Sequence, residues 1–289
     1  MVDVQKRYRH LVMKHFMIQT LKALVGASEY LLRPWNYQPD ELLVLCMHST
    51  PLERRDQMEK LVDFLLLHFK SFDPMLLSEY FEGKHKAGPY VLFTFDDGLK
   101  NNAMAAEVLE SRGARAVFFV VPHFIDSPNP MAYYREHIRK VIDAKVDHET
   151  EDFTPMSIAE LKGLVARGHS IQSHTMSHLL RATAKESDVE YEVAQSSRWL
   201  HENVGVKPQM FCSPIQTNFS ISAFAKQRIE ATYRYHFTTF PGLNASEKRE
   251  LLILRRNIEV HWSLAQIKYA LGKVDLPRWK GEISRFQQL

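Results

Sequence analysis

The chain has 289 residues, 45% of them hydrophobic and 25% charged, with a formal net charge of +3. That length buries a substantial core as one α/β barrel-type domain or two smaller ones, and the composition excludes disordered and fibrous classes. The small charge, without a long basic tract, gives nucleic-acid binding no electrostatic support, while a substrate on an anionic carrier stays open.

Residues 1–40 read as an N-terminal helical extension. Lys6, Arg7 and Arg9 precede an apolar stretch broken by Lys14, His15 and Lys22. This has neither the length of a transmembrane helix nor a signal-type core with a cleavage site, so a cytoplasmic protein is expected. Leu11, Met17, Ile18, Leu21, Leu24 and Val25 share a broad helical face. That face suits packing against the barrel or a second subunit, and also peripheral contact at the inner membrane face. Periodicity leaves the oligomeric state open.

From residue 41 to 289, short apolar runs alternate with helical patterns. Strands are expected at 42–47, 90–95, 115–121, 169–172, 209–212, 232–238 and 252–260, and helices at 53–69, 101–112, 157–167, 185–203 and 263–272. The alternation implies α/β architecture with a parallel sheet, and about seven strands suit a distorted or incomplete (β/α) barrel. Runs such as Val117-Phe118-Phe119-Val120-Val121 do not alternate with polar residues, as burial on both faces requires. The stretch from Pro122 to Pro155 reads as an irregular insertion placed to help cover a site. Cys46 and Cys212 fall inside strands and are expected as buried, reduced thiols.

Several reactive side chains fall at or just past the C-terminal ends of these strands: His48, the Asp96-Asp97 pair, His123, His174 and Ser213. A parallel barrel brings such positions to one rim, where its active sites are built. Two imidazoles and one carboxylate can hold a divalent metal while leaving a position open for water, and Asp97, His174 and His178 provide that set. Asp96 then remains to accept a proton from the attacking water. Asp-Asp-Gly is also a good turn sequence, and the histidines could simply line a loop.

The strings Thr94-Phe95-Asp96-Asp97-Gly98 and Ser173-His174-Thr175-Met176-Ser177-His178, in this order on this strand pattern, resemble the polysaccharide deacetylase family, the NodB-homology or carbohydrate esterase family 4 enzymes. The resemblance covers roughly residues 41 to 265. It implies a metal-dependent hydrolase that removes an N-acetyl group from an amino sugar in polysaccharide or glycan-precursor metabolism. Asp96 is implied as catalytic base and Asp97, His174 and His178 as ligands of a divalent metal ion, zinc being the expected one. The run Leu42–Ser49 resembles the family's first strand, with Met47 where a tyrosine commonly precedes the histidine. His48 is thereby expected to line the substrate pocket.

The family's third motif, an Arg-Pro-Pro-Tyr-Gly-like string whose arginine orients the base, is matched by Phe211-Cys212-Ser213-Pro214-Ile215. Only the proline is kept, so the orientation of Asp96 must come from elsewhere. Ser213 and Pro214 are expected as substrate-binding residues. A subgroup related to exopolysaccharide biosynthesis also lacks that arginine, and the run from Tyr235 to Asn244 resembles it. The last motif, a Leu-x-His that supplies the general acid, is matched loosely by Ile258-Glu259-Val260-His261, which makes His261 the expected acid. Two other readings stay open: an amidase that cleaves a C–N bond of a non-sugar substrate, and a catalytically silent carbohydrate-binding protein.

Overall fold

The computed structural model describes residues 37–138, 153–180, 182–214, 221–246, 252–272 and 276–288. The N-terminal helical extension thus lies, but for its last four residues, outside the described residues.

Ten strands form one sheet: β1 (Glu41–Met47), β2 (Lys70–Ser71), β3 (Tyr90–Phe95), β4 (Ala116–Val120), β5 (Ser170–Ser173), β6 (Met210–Cys212), β7 (Tyr235–Phe237), β8 (Asn244–Ala245), β9 (Leu252–Ile253) and β10 (Arg256–Asn257). The main path runs β10-β1-β3-β4-β5-β6-β7-β9, with β2 beside β3 and β8 beside β1. All neighbours on this path are parallel; only β8 runs antiparallel to its partner. The result is the expected distorted (β/α) barrel. Its two edge strands, β9 and β10, are consecutive in the chain, so the seam is spanned by Leu254 and Arg255.

Period-2 alternation divides the strand side chains between two cores. Leu42 and Val44 of β1, Leu92 of β3, Val117 and Phe119 of β4, Met210 and Cys212 of β6 and Phe237 of β7 share one buried cluster that fills the lumen. The intervening residues, such as Leu43, Leu45, Phe93, Phe95, Phe118 and Val120, pack outward with Leu61 and Leu65 of the helix Arg55–Leu66 and Val108 and Leu109 of the helix Asn102–Glu110. Burial on both faces explains the unbroken apolar runs. At the N-terminal end Phe72, Leu77 and Tyr80 close the lumen, and the single Tyr80 hydroxyl proton is shared between the Asp40 carbonyl at 2.5 Å and the Asn244 carbonyl at 2.8 Å.

The structure differs from the sequence expectation at several elements. The run 252–260 is two short strands, because Arg255 leaves the ladder between them to point inward. A helix at Ala223–Thr232, capped by the Ser222 side chain, was not expected; only Ala225 and Ile229 of it are buried, too few to mark an apolar face. The stretch Pro122–Pro155 contains helical turns at Pro122–Ile125 and from Pro130 to Ile138. Cys46 and Cys212 are buried and free.

Candidate active site

The same alternation that fills the lumen aims the candidate catalytic groups. Asp96 is four residues past Leu92 on its face, His174 follows Ser170 and Gln172, and Cys46 and Cys212 follow Val44 and Met210, so all four converge at the C-terminal mouth of the lumen. Asp97 would alternate outward, yet its φ of 73° and the φ of 80° at Gly98 turn the chain back. Its carboxylate therefore joins the site beside that of Asp96. Gly98 serves a second purpose, since a Cβ there would sit 2.9 Å from Val120 Cγ1.

Asp97 Oδ1 lies 3.5 Å from His174 Nε2 and 3.5 Å from His178 Nε2. His174 Nδ1 donates to the Cys212 carbonyl at 2.8 Å and His178 Nδ1 to the His137 carbonyl at 3.4 Å. A carbonyl only accepts, so both Nδ1 atoms carry a proton, and in the neutral imidazole each Nε2 turns its lone pair toward the carboxylate. Burial pushes His178 down to about 4, which leaves its imidazole neutral at pH 7. Among the described residues neither Asp97 oxygen has a hydrogen-bond partner, although both are buried. A buried carboxylate with two orphaned oxygens facing two imidazole lone pairs is the arrangement a divalent cation satisfies.

Asp96 is held differently. Arg255, fully buried, grips it in a fork, with Nη1 to Oδ1 at 2.7 Å and Nη2 to Oδ2 at 2.8 Å. The guanidinium also donates to Thr94 Oγ1 at 3.0 Å and through Nε to the Thr238 carbonyl at 2.8 Å, and stands 5.6 Å from the centre of the Phe119 ring. Burial alone would raise the Asp96 carboxyl; Arg255 outweighs it, helped by the cationic His48, and keeps the group well below the usual carboxylate range. The Cys46 and Cys212 thiols lie 3.4 and 3.7 Å from Asp96 Oδ2, and burial raises both far enough to keep them protonated. Two other triads of ligand-type atoms lie within 4.8 Å of one another, Cys46-His48-Asp96 and Asp96-His174-Cys212. Both depend on oxygens already occupied by Arg255 and on neutral thiols, so Asp97-His174-His178 is the cation site the chemistry favours.

His48 lies beside Asp96 in the first of those triads, and its Nδ1 is 3.5 Å from Glu259 Oε1. Burial alone would lower its pKa, but Glu259 first, then Asp97 and Asp96, outweigh it and raise the imidazole to about 9. At pH 7 it is a cation facing Asp96. His261, the acid expected from sequence, is exposed on the turn after β10 and has no described contact with these residues. The physical reason is the path of the chain: Glu259, not His261, turns toward the mouth. Ser213 and Pro214 follow β6 at the same rim but are buried, and the Ser213 hydroxyl is paired with His236 Nε2 at 2.6 Å rather than open to a ligand. Burial pushes His236 down to about 3, so this pair is neutral.

Sequence reasoning missed Arg255 and Glu259. A signal for the first was present: Arg255-Arg256 interrupts an apolar run, and an arginine buried there requires an anion.

Comparison with known proteins supplies the remaining observation. The family model described as polysaccharide deacetylase matches residues 83–234. Among solved structures, IcaB from Ammonifex degensii superposes with a TM-score of 0.63 at 22% identity, covering 81% of this chain and 99% of that one. The BpsB deacetylase domain from Bordetella bronchiseptica gives a TM-score of 0.60 at 17% identity, covering 78% and 98%. The Streptococcus pyogenes deacetylase PplD, in complex with acetate, gives 0.59 at 16% identity, covering 80% and 98%. No curated protein sequence matches the chain.

Proposed function

From the premise that this chain belongs to the polysaccharide deacetylase family, hydrolases that remove acetyl groups from sugars and depend on a metal ion, we propose that it is an N-deacetylase of an acetylated amino sugar within a glycan or glycan precursor. The observation that carries this reading is the division of labour between two adjacent carboxylates. One is left unsatisfied opposite two imidazole lone pairs, and the other is bound by a guanidinium and faces a protonated histidine.

Asp97, His174 and His178 would hold the divalent cation, for which zinc suits a two-nitrogen, one-carboxylate set. When bound, it supplies Lewis acidity that polarises the acetamide carbonyl and makes a water more acidic. Asp96, kept ionised by Arg255, takes a proton as the water oxygen attacks the carbonyl carbon. Collapse of the tetrahedral intermediate breaks the C–N bond, and His48, charged and oriented by Glu259, donates the proton that lets the amine leave. Acetate and a free amino sugar result. Cys46 and Cys212 keep bulk water away from the back of the base as small, neutral groups.

No helix among the described residues is long and apolar enough to cross a membrane. For substrate, the reading favours nucleotide-linked or lipid-linked acetamido sugars made on the cytoplasmic side, the basic N-terminal stretch suiting anionic head groups. The test is an acetate-release assay on zinc-loaded protein with chito-oligosaccharides, nucleotide-linked and lipid-linked acetamido sugars, using Asp96→Asn as blank. Release from the linked sugars is expected. Release from external polymers alone would move the site of action, and amide cleavage only in a non-sugar panel would replace the reading.

A further inference from the structure

Between the two histidines of the cation site lie only Thr175, Met176 and Ser177, and the backbone there is strained. Thr175 has φ of 68° and His178 φ of 64°, a region that side chains with a Cβ rarely occupy and β-branched residues least of all. Such a turn persists only where its surroundings hold it, and every peptide group of Met176 and Ser177 is held. The Met176 carbonyl accepts from the backbone N–H of His123 at 3.0 Å, and the Ser177 carbonyl accepts from the Tyr133 hydroxyl at 2.8 Å. The remaining donors all converge on one side chain. Glu192 Oε2 accepts from the Met176 N–H at 3.0 Å and the Ser177 N–H at 2.8 Å, and Glu192 Oε1 accepts from the Ser177 hydroxyl.

Glu192 is 5% exposed and sits in a π-helical turn, Tyr191–Gln195, within the helical segment that follows the loop. Such turns are rare and often mark functional positions. With three donors on two oxygens the group is an anion receptor turned inside out: the loop's own N–H groups bind a carboxylate. We propose that Glu192 is a positioning residue for the cation site, holding the strained 175–178 turn in the one conformation that points His174 Nε2 and His178 Nε2 at the same place, and so sets the affinity for the cation. This rests on the reading of Asp97, His174 and His178 as its ligands. Glu192 has no described contact with the three side chains and acts through the peptide groups and the Ser177 hydroxyl that lie between the two histidines.

The test is titration of the metal-stripped full chain with cobalt(II), followed by its visible d–d absorption, with zinc competition to give relative affinities. Partners that orient metal ligands are typically worth roughly 10–100-fold in affinity, so Glu192→Ala should bind cobalt about 100-fold more weakly and Glu192→Gln about tenfold, since a carboxamide offers one acceptor oxygen instead of two. At saturating cobalt the Glu192→Gln spectrum should match the unaltered protein's, because the ligands are the same. If Glu192→Ala does not fold, Glu192→Gln decides the matter. The comparison variant is Trp199→Phe, which removes a 2.7 Å hydrogen bond from the same helical segment to Asp126; it should lower the melting temperature without changing cobalt affinity. Unchanged affinity in Glu192→Gln, or an equal loss in Trp199→Phe, would overturn the inference. Failure of the unaltered protein to take up cobalt or zinc would instead overturn the cation site itself, and the inference with it.

Discussion

The two halves of the mouth are built by different means. The cation half is compact in sequence: Asp97 turns back on its own backbone, and His174 and His178 are four residues apart in one pinned loop. All three lie inside the stretch matched by the family model. The half proposed for acid–base chemistry draws its residues from across the whole chain. Asp96 is bound by Arg255, 159 positions away, and His48 by Glu259; of these four residues only Asp96 falls within the matched stretch. A ligand set needs a fixed mutual geometry, which a short rigid loop provides. A base and an acid need opposite electrostatic surroundings, which separate partners provide more readily.

If that contrast is right, damage to the first half should remove both cation and catalysis. Asp97→Ala and His178→Ala should abolish acetate release and bring the bound divalent metal, about one per chain in the unaltered protein, close to zero by elemental analysis. Damage to the second half should separate the two readouts. Asp96→Asn should retain its metal and lose roughly a hundredfold or more in rate, and equal metal loss in Asp96→Asn and Asp97→Ala would erase the distinction between the halves.

Arg255→Leu comes next in size. It leaves Asp96 buried without its counter-charge, at a cost of about 3–5 kcal/mol in denaturant unfolding at pH 7. Because Arg255 depresses the Asp96 carboxyl, that pair stabilises the fold above the ordinary carboxylate range and ceases to do so as pH falls through the depressed value. In a variant that still folds, the acid limb of the rate profile should therefore move to higher pH. A profile with an unmoved acid limb would mean that Arg255 serves packing alone.

The smallest effect sharpens the contrast most. His48 is raised to about 9, so its protonated form contributes stability that is fully present below its unfolded value near 6.5 and is lost as pH rises through about 9. As an acid it should give the rate profile an alkaline limb near the same pH. Glu259→Gln should shift that limb downward with metal content unchanged, whereas His261→Ala should leave rate and profile as they are. The opposite pattern would return the acid to His261.

How much of this was legible depended on how local it was. The strands β1, β3, β4, β6 and β7 announced themselves as apolar runs, and Asp96-Asp97-Gly98 and His174–His178 as compact strings at strand ends. The two-residue strands β2 and β8 are too short to show any period. Arg255 was unreadable as the partner of Asp96 because nothing in a linear string ties position 255 to position 96; only the order of strands around the barrel brings them together. His261 attracted the acid role through its place in a familiar string, while the alternation that turns Glu259 toward His48 is visible only once β10 is seen to stop at Asn257. Glu192 carried no local mark, being one acid among several on the helix expected at 185–203.

One further consequence follows from the seam. The sheet's edge strands β9 and β10 are not joined to each other by a backbone ladder; the chain itself crosses between them at Leu254-Arg255, and the side chain that leaves at that crossing is the one that grips the base. Arg255 is therefore a spoke from the gap between these edge strands to the proposed base. Opening of the gap, by denaturant, by heat or by a partner that prises the edges apart, would pull the guanidinium off Asp96 while the remaining strands stayed paired. Such a molecule would keep its circular dichroism and its cation ligands in place while the acid limb of its rate profile moved to higher pH, so the position of that limb doubles as a gauge of whether the ring is shut.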